Sequence, residues 1–563
     1  MLRNLAPLLA ISFAATHNPV HARQAPATAQ PDPDLRAAGR YAGLPFSDAE
    51  VAQLHSVVVE NLLTFARLRT EVLPNDLEPA FAFSPLLAGI AVRPPRLDLE
   101  APSVPEFRRP RDLEDLAYAS IPELAALLRG RSVTSLELVE MFLARLARFD
   151  PVLHCVVNLT PERAREAARR ADREIAAGQW RGLLHGIPFG AKDLFAARGA
   201  PTTWGSSIWR EQALDRDAAA IRRLEDAGAV LVAKLALGEL AYGDEWFGGR
   251  TRNPWDPSQG SSGSSAGSAS AVVAGCVPFA LGTETLGSIV SPARVCGATG
   301  LRPTFGRVSR EGAMALSWTM DKVGTLARSA VDAAIVFAAI EGPSAGILDA
   351  RDAAFAPGRA RYLQGLRIGV PKGAFDGAKE QKSILDALKS MGCAIVEVDL
   401  PATRAGDLLT ILTCEAATAF DAITRSGDDD KLVWQEDAAW PNTFRAAQLV
   451  PAVEYLRASR LRSRLQREMA SVMEQVDLLV HPTWGSDALV VANLTGHPAL
   501  AMPDGFDARG LPTGITFTGQ LDGEQDLCAV GAAWQESTGF HRRHPTVDLT
   551  PPPPVPSVPS EPK

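Results

Sequence analysis

The feature that most constrains this chain is a run of small residues, 260–268, that passes directly into the apolar residues 269–275. Glycine and serine alternate through the run in the way that is typical of flexible linkers. A linker rarely continues into an apolar segment that favours a helix, however. The pattern therefore favours a functional loop over a spacer.

Two functional interpretations of the run can be tested against its residue types. A phosphate-binding P-loop requires Lys-Ser or Lys-Thr after its last glycine, and no lysine follows here. Residues 263–267 satisfy the GxSxG pattern, which would make Ser265 the nucleophile of an α/β-hydrolase. The preceding residues 253–257 contain two prolines and do not resemble the strand that such a turn requires. An esterase using Ser265 stays an alternative.

A serine nucleophile also needs a base that takes its proton. No spacing rule selects one of the downstream histidines, and the single Ser-x-x-Lys match lies at the extreme C-terminus. Two other segments carry suitable residues. Residues 186–193 place Lys192 at the end of an uncharged, strand-like run, and residues 282–292 place Ser288 in a turn of small residues. Successive backbone N–H groups in such a turn can converge on an anion.

Together these segments resemble the amidase signature family. Members of that family carry a strand ending in Val-Lys-Asp, then a Gly-Gly-Ser-Ser-Gly-Gly-Ser segment, then a Gly-Thr-Asp-Thr-Gly-Gly-Ser turn. In this chain Lys192 and Ser264 are 72 residues apart, and Ser264 and Ser288 are 24 residues apart. The flanking segments 227–229, 253–255 and 300–307 also look like family landmarks, and the resemblance covers roughly residues 115 to 545.

The resemblance implies a Ser-cisSer-Lys triad for amide hydrolysis through an acyl-enzyme. Ser288 would attack the carbonyl, Ser264 would relay its proton, and Lys192 would be the base. Lys192 must then be neutral at the working pH, which burial favours. A cis peptide would join Gly263 to Ser264, and Ser265 would be a supporting hydrogen-bonding residue.

The resemblance also implies an oxyanion hole made by backbone N–H groups. Its donors would be those of Thr285, Leu286, Gly287 and Ser288. Leu286 replaces a family glycine, and we expect it to restrict the backbone and add bulk beside the acyl pocket. Glu284 replaces an aspartate, and Val290 replaces an arginine and removes a positive charge. Three further positions differ from the family pattern: Ser262, Ala266 and Arg302.

The order of helical and strand-like segments between residues 113 and 545 predicts an α/β fold. Helices are predicted at 121–129, 135–148, 161–177, 218–227 and 456–476. Strands are predicted at 186–191, 230–234, 366–370, 393–398, 478–480 and 513–518. The resemblance implies a single large α/β/α domain whose central mixed sheet is covered by helices.

The sequence predicts less compact structure at both ends. Arg3, the apolar residues 5–15 and a small-residue site at Ala22 are typical of an export signal, so we expect residues 1–22 to be removed and the protein to be periplasmic or secreted. Residues 23–112 are predicted to form a linker and an N-terminal extension with one helix, which begins with a capping box at Ser47. Within the extension, the proline-dense residues 73–112 indicate an extended strap. Residues 546–563 form a proline-rich tail.

Composition limits the partners. The chain has 57 Lys and Arg residues against 65 Asp and Glu residues, a net charge of −8, which argues against a nucleic-acid partner. The uncharged window 263–283 contains too much glycine and serine for a membrane span. Six scattered cysteines show no metal-binding spacing. We therefore expect a small-molecule amide substrate and neither a metal nor an organic cofactor, and we leave a homodimer open.

Besides the esterase, two alternatives to a free-standing amidase remain. The family includes the glutamine-hydrolysing A-type subunit of tRNA amidotransferases, which works with cytoplasmic partners and so conflicts with the export signal. An inactive amidase-like binding protein is the other alternative.

Overall fold

The computed structural model describes residues 33–41, 44, 46–68, 75, 82–87, 92–344, 351–360, 362–484 and 486–549. The expected export signal lies outside these residues, as does the proline-rich tail from residue 550 onward. The chain divides into two compact units, Met1–Pro74 and Asn75–Lys563.

In the described residues of the first unit there are two helices, α1 (Pro33–Tyr41) and α2 (Asp48–Leu68). The capping box before α2 is confirmed, because Glu50 Oε2 accepts from the Ser47 backbone N–H at 2.7 Å and Ser47 Oγ accepts from the Glu50 N–H at 3.4 Å. The prediction of a single helix in residues 23–112 is wrong. Alanines in α1 favour a helix, and Arg36 forms an ion pair with Asp48 of the next helix.

The second unit contains all the β-strands of the described residues. In chain order they are β1 (Leu99–Glu100), β2 (Val156–Leu159), β3 (Pro188–Lys192), β4 (Val230–Leu235), β5 (Glu245–Trp246), β6 (Gly249–Arg250), β7 (Arg252–Asn253), β8 (Asp256–Gly260), β9 (Phe279–Glu284), β10 (Thr299–Arg302), β11 (Lys322–Ala327), β12 (Arg359–Ala360), β13 (Arg367–Pro371), β14 (Ala394–Val398), β15 (Leu478–Pro482), β16 (Ala499–Phe506) and β17 (Pro512–Gly519). Eleven of them form one sheet in the order β14-β13-β15-β17-β16-β10-β11-β9-β3-β4-β2. This sheet is mixed: β3 runs parallel to β4 and β9, whereas β9 runs antiparallel to β11.

The α-helices of the second unit lie between these strands in the chain. They are α3 (Ile121–Arg129), α4 (Ser135–Leu153), α5 (Pro161–Ala176), α6 (Ala219–Asp226), α7 (Ala266–Val273), α8 (Val290–Cys296), α9 (Ala330–Ile340), α10 (Ser383–Ser390), α11 (Thr410–Ala419), α12 (Asp421–Ser426), α13 (Trp440–Ala447), α14 (Ala452–Gln475), α15 (Ala488–Thr495) and α16 (Glu524–Thr538). The fold is therefore the predicted α/β arrangement with a large mixed sheet flanked by helices. Every helix and strand predicted between residues 113 and 545 is present, with ends that differ by a few residues.

The part of the strap at residues 92–112 contains no helix and only the two-residue strand β1. It belongs to the second unit, which therefore starts before the expected boundary at residue 113. Arg96 anchors it, because its backbone N–H donates to Asp526 at 2.9 Å and its guanidinium pairs with Asp477. Asn75 anchors its beginning by exchanging two hydrogen bonds with the backbone of Ala315.

The centre of the sheet is buried and apolar. All residues of β3, β4 and β11 are buried, which is typical of strands covered on both faces. Phe189 on β3 stacks on Phe279 of β9 with ring centroids 5.5 Å apart. The two rings hold the starts of β3 and β9 together; Lys192 is the last residue of β3, and the turn that carries Ser288 follows β9.

We expect Phe279→Ala to destabilise the second unit strongly, because the ring is fully buried and its removal leaves a cavity. A loss of about 3–5 kcal/mol is usual for such a change. The measurement is the urea midpoint of unfolding. Leu159→Ala on the edge strand β2, where the side chain is 36% exposed, is the control and should shift the midpoint far less. Equal shifts in the two variants would contradict this account of the core.

Candidate active site

Lys192 ends β3 with its side chain completely buried. Its Nζ lies 2.7 Å from Ser264 Oγ, 3.1 Å from Ser265 Oγ and 3.0 Å from Thr283 Oγ1. All of these partners are hydroxyl groups, and none is a carboxylate. Burial lowers the pKa of Lys192 to about 7, although the charges of Asp321 and Glu284 act to raise it. A large fraction of the amine is therefore neutral near neutral pH.

Ser264 lies immediately after a cis peptide bond to Gly263, as the resemblance implied. Its side chain is 1% exposed and its carbonyl accepts from the Gly238 N–H at 3.3 Å. Glycine is required at position 263, because a Cβ there would lie 1.7 Å from the carbonyl oxygen of Gly243. The close approach of the two chain segments holds Ser264 against Lys192.

Ser265 is fully buried at the start of α7. Its Oγ donates to the Thr283 carbonyl at 3.1 Å and accepts from the Thr283 N–H at 3.2 Å. The hydroxyl proton is thus engaged, and the side chain joins the small-residue run to the end of β9. The strand β8 before it pairs only with β7 and lies outside the central sheet. This arrangement fits a supporting residue and does not fit a nucleophile elbow.

Ser288 follows the turn after β9 and is 9% exposed. Its carbonyl accepts from the Ser265 N–H at 3.1 Å, which brings the two serine-bearing segments together. Within the described part of the chain, the Ser288 hydroxyl forms no hydrogen bond, including none to Ser264. The structure therefore joins Lys192 to Ser264 directly and leaves the Ser288 hydroxyl uncommitted.

The turn at residues 285–288 presents backbone donors. Among the described residues, no acceptor is hydrogen-bonded to the N–H groups of these four positions. Gly287 has a φ of +85°, a conformation that suits glycine, whereas Leu286 is not in the positive-φ region. The expected backbone restriction by Leu286 therefore has no effect on this turn. Its side chain is half-buried and packs on the apolar cluster that contains Ile289 and Leu489.

Glu284 fixes the backbone that follows the turn. Its Oε2 accepts from the backbone N–H groups of Ile289 at 2.9 Å and Val290 at 3.0 Å. Its Oε1 accepts from Arg302 at 2.6 Å and from Asn493 at 2.9 Å. Burial acts to raise the pKa of Glu284, but the charges of Arg302 and Lys322 and these hydrogen bonds lower it to about 2. Glu284 is therefore an ionised carboxylate that fixes the backbone on the far side of Ser288.

Asp321 holds the first residue of the same turn, Thr285. Its Oδ1 accepts from Thr285 Oγ1 at 2.5 Å, and its Oδ2 accepts from the N–H groups of Leu316 at 2.8 Å and Ser317 at 3.0 Å. Burial raises the pKa of Asp321. A small cavity of about 20 Å³ lies here, between the turn and the segment that contains Trp318.

Four tryptophans lie near the motif segments in the sequence, and the structure does not bring all of them to one place. Trp318 lines the small cavity, whereas Trp204 and Trp246 are buried and Trp209 packs against Trp204. Instead, Trp484 lies beside the turn: a Cβ on Gly287 would be 3.1 Å from its ring. Its indole N–H donates to Ser291 Oγ at 3.2 Å, and it is 47% exposed.

Sequence reasoning missed several of these residues. Thr283 lies within the segment 282–292 that the sequence singled out, but only the pairing of β9 with β3 shows that its hydroxyl meets Lys192. Nothing in local spacing marks the others, because the fold brings them from distant parts of the chain: Asp321, Trp484 and Asn493. All six cysteines are free. Among the described residues, no group of three or more His, Cys, Asp or Glu side chains is arranged to hold a metal ion, and no helix is long and apolar enough to span a bilayer.

Comparisons with known proteins agree with this geometry. The family model described as Amidase matches residues 137–490. The A-type subunit of glutamyl-tRNA(Gln) amidotransferase from Chloroflexus aurantiacus is 34% identical over 490 residues, which cover 77% of this chain and 99% of that protein.

Solved structures show the same relationship. The native peptide amidase from Stenotrophomonas maltophilia superposes with a TM-score of 0.68 at 31% identity, covering 78% of this chain and 100% of that one. An amidase family protein from Bacillus anthracis gives a TM-score of 0.69 at 26% identity, covering 77% and 94%. The chain therefore belongs to the amidase signature family of amide hydrolases.

Proposed function

We propose that the chain hydrolyses a small carboxylic amide through an acyl-enzyme on Ser288, with Ser264 relaying the proton to Lys192. The observation that carries the proposal is the contact at 2.7 Å between the buried Lys192 amine and Ser264 Oγ. A buried lysine with a pKa near 7 can take up a proton at physiological pH, as a general base must.

The hydrogen bonds of the Lys192 amine leave its lone pair free to accept a proton. A neutral amine has two N–H donors and one lone pair. Its donors are directed to Ser265 and Thr283, whose oxygens lie 3.1 and 3.0 Å away. The lone pair then remains for the Ser264 proton.

The reaction would proceed by two linked proton transfers. Ser264 gives its proton to Lys192 and takes the proton of Ser288 while Ser288 Oγ bonds to the carbonyl carbon. The tetrahedral intermediate then expels the amine or ammonia, which receives a proton from the same pair. A water molecule then attacks the carbonyl carbon of the acyl-enzyme and gives a proton to Ser264, which passes its own proton to Lys192. The second tetrahedral intermediate breaks its bond to Ser288 Oγ, releases the acid, and Ser288 takes the proton back from the same pair. Ser264 and Ser288 share no hydrogen bond in this structure, and the proton transfer between them requires the two hydroxyl groups to come within hydrogen-bond distance.

The backbone N–H groups of Thr285, Leu286, Gly287 and Ser288 are the proposed donors to the oxyanion. They have no competing acceptor among the described residues. Asp321 holds the first residue of the turn, and Glu284 holds the backbone just after it. Donors that are already oriented stabilise the developing negative charge without reorganisation. Removal of one such donor costs about 3–4 kcal/mol of transition-state stabilisation in related chemistry.

The names of the relatives indicate a broad class of amide substrate. One structural relative is named as a peptide amidase, which favours amides of amino acids or short peptides. A second candidate function is that of the glutamine-hydrolysing A-type subunit, because a relative with that name is 34% identical to this chain. We place the free-standing amidase first because of the proposed export, which would separate the chain from cytoplasmic partners.

We expect Ser288→Ala to abolish turnover of acyl 4-nitroanilides and to leave the fold intact, because the side chain has no hydrogen bond to lose among the described residues. Intact-mass analysis and peptide mapping after reaction with a fluorophosphonate should show one adduct on Ser288 in the unaltered chain. Ser265→Ala is the matched control and should keep the adduct while reducing the rate.

Other results would point to the alternatives. An adduct on Ser265 would select the esterase, and a folded chain that gives no adduct would select the inactive binding protein. Turnover of glutamine that appears only with added partner subunits would select the amidotransferase function.

We expect kcat/KM to rise with pH and to reach half its plateau near pH 7, the pKa of Lys192. Burial makes the neutral amine available, and the base is lost as falling pH protonates it. The measurement is a pH profile from about pH 5 to 9 with a substrate that does not titrate in that range. Lys192→Met should be inactive across the range. A profile that is flat through pH 7 would contradict the role of Lys192.

We also propose that the protein is exported, on the evidence of the apolar residues 5–15 and the small-residue site at Ala22. Expression of the full chain in a bacterial host should give a periplasmic product. Its mass and N-terminal sequence should correspond to a mature chain that starts at Arg23. A cytoplasmic product that retains Met1 would contradict export.

A further inference from the structure

A buried carboxylate that the proposed reaction does not use lies on α11. Glu415 is 5% exposed, and both of its oxygens accept hydrogen bonds. Oε2 accepts from Ser317 Oγ at 2.6 Å and from the Thr319 N–H at 3.0 Å. Oε1 accepts from Thr319 Oγ1 and from the Tyr455 hydroxyl, both at 2.8 Å. Three of these four donors belong to segment 315–321, so Glu415 ties that segment to α11.

Segment 315–321 closes on itself around Ser317. The Ser317 carbonyl accepts from the N–H groups of Met320 at 3.2 Å and Asp321 at 2.9 Å. The Ser317 N–H donates to Asp321 Oδ2 at 3.0 Å, and the Leu316 N–H donates to the same oxygen at 2.8 Å. Because both backbone groups of Ser317 are bonded to Asp321, the position of Ser317 determines where the Asp321 carboxylate lies.

Asp321 and the residue after it contact the oxyanion turn. Asp321 Oδ1 accepts from Thr285 Oγ1 at 2.5 Å, and Lys322 Nζ donates to the Thr285 carbonyl at 3.5 Å. The hydroxyl and the carbonyl of Thr285 are thus both held from this side. In a planar trans peptide the carbonyl and the following N–H point in opposite directions. The direction of the Thr285 carbonyl therefore sets the direction of the Leu286 N–H, which is one of the proposed donors to the oxyanion.

We propose that Glu415 is a positioning residue for the amide hydrolysis. It acts through three successive hydrogen bonds, none longer than 3.0 Å. The first joins Glu415 to Ser317, the second joins Ser317 to Asp321, and the third joins Asp321 to Thr285 at the start of the oxyanion turn. This inference rests on the proposed function, since the turn stabilises an oxyanion only in a chain that hydrolyses an amide.

A positioning role of this kind affects the transition state. Donors stabilise the oxyanion only when they point to the place where its charge develops. A loss of their orientation therefore lowers kcat and kcat/KM equally and leaves KM nearly unchanged. A general loss of stability has a different effect, because it reduces the number of folded molecules and leaves kcat per folded active site as it was.

Two substitutions at Glu415 separate the hydrogen bond from the charge. Glu415→Gln and Glu415→Leu both remove the charge and keep the approximate size of the side chain. The glutamine carbonyl can still accept from Ser317 and Thr319, and its NH2 group can donate to the two hydroxyl oxygens, whereas leucine has no acceptor. We expect kcat and kcat/KM of Glu415→Leu to fall together by at least about tenfold, with KM within about twofold, and Glu415→Gln to keep most of kcat.

Tyr455→Phe is the matched control. It removes a hydrogen bond from the same carboxylate, but the donor does not belong to segment 315–321. We expect this variant to keep the kcat of the unaltered chain. The rate is measured per active site, and the sites are counted by the stoichiometry of labelling with a fluorophosphonate. The urea midpoint of each variant gives its stability separately.

Hydrogen exchange tests the same link without catalysis. The Ser291 N–H donates to the Gly287 carbonyl at 2.8 Å, so its exchange reports on the oxyanion turn. The N–H groups of Leu316 and Ser317 report on the Asp321 carboxylate. Deuterium uptake is measured by mass spectrometry in peptides that cover residues 284–292 and 314–321. We expect uptake at least about tenfold faster in both peptides for Glu415→Leu, and unchanged for Glu415→Gln and Tyr455→Phe.

If Glu415→Leu does not fold, Ser317→Ala replaces it, because this change breaks the same contact and keeps the backbone bonds to Asp321. We expect Ser317→Ala to lower kcat by at least about threefold and to speed exchange in both peptides.

The proposal is overturned if the variant that breaks the contact keeps kcat per site. It is also overturned if Glu415→Gln or Tyr455→Phe loses as much activity as that variant, or if exchange in residues 284–292 does not change. An unaltered chain that shows neither turnover nor an adduct would contradict the proposed function, and the exchange measurement would then decide whether Glu415 fixes the turn.

Discussion

The rest of the site depends on one constraint. The Lys192 amine must be buried away from water and must have no direct contact with a carboxylate. A second buried lysine on the neighbouring strand shows why. Lys234 lies opposite Ala191, yet its Nζ is 2.6 Å from Asp193 and forms a buried ion pair. Burial lowers the pKa of Lys234 as well, but the Asp193 carboxylate acts to raise it, and the same contact at Lys192 would oppose the effect of burial on the amine. Hydroxyl partners satisfy the Lys192 donors without adding charge, so burial can set its pKa.

A site of this kind also needs a rigid backbone around the nucleophile, and an ion pair provides it here. Glu284 reaches the N–H groups at the start of α8 and contacts Arg302, whose other nitrogen donates to the His497 carbonyl at 2.8 Å. Both side chains depart from the family pattern, and each suits the other. Glu284 uses one carboxylate oxygen for the backbone N–H groups and the other for Arg302 and Asn493, and the guanidinium has parallel donors that a lysine lacks. All the contacts of the Glu284 carboxylate are hydrogen bonds to donors, as a buried charge requires, whereas the Arg302 Nε has no hydrogen-bond partner among the described residues.

The parts of the structure that follow local rules could be predicted from the sequence, and the parts that depend on tertiary contacts could not. Short apolar runs predicted six strands of the central sheet and the position of Lys192 at the end of one of them. The other five were missed: β2, β9, β10, β11 and β16. The helix α1 was missed because a short alanine-rich segment resembles a linker when its ion pair to Asp48 is unknown. Asp321 was missed for the same reason, since the pairing of β11 with β9 is what places it beside Thr285. The catalytic roles themselves stay predictions that rest on the resemblance and on the contacts of Lys192.

The departures at Leu286 and Val290 are best understood together with the packing behind the turn. Val290 is fully buried in the apolar cluster that contains Leu489, so an arginine at this position would place a charge inside that cluster. Leu286 covers the same cluster from the side of the oxyanion turn. Val290 and Leu286 therefore lie on one apolar surface, and the ring of Trp484 continues this surface beside Gly287. Since Glu284 fixes the backbone that follows the turn, the side chains of this surface can change without moving the N–H groups of the turn.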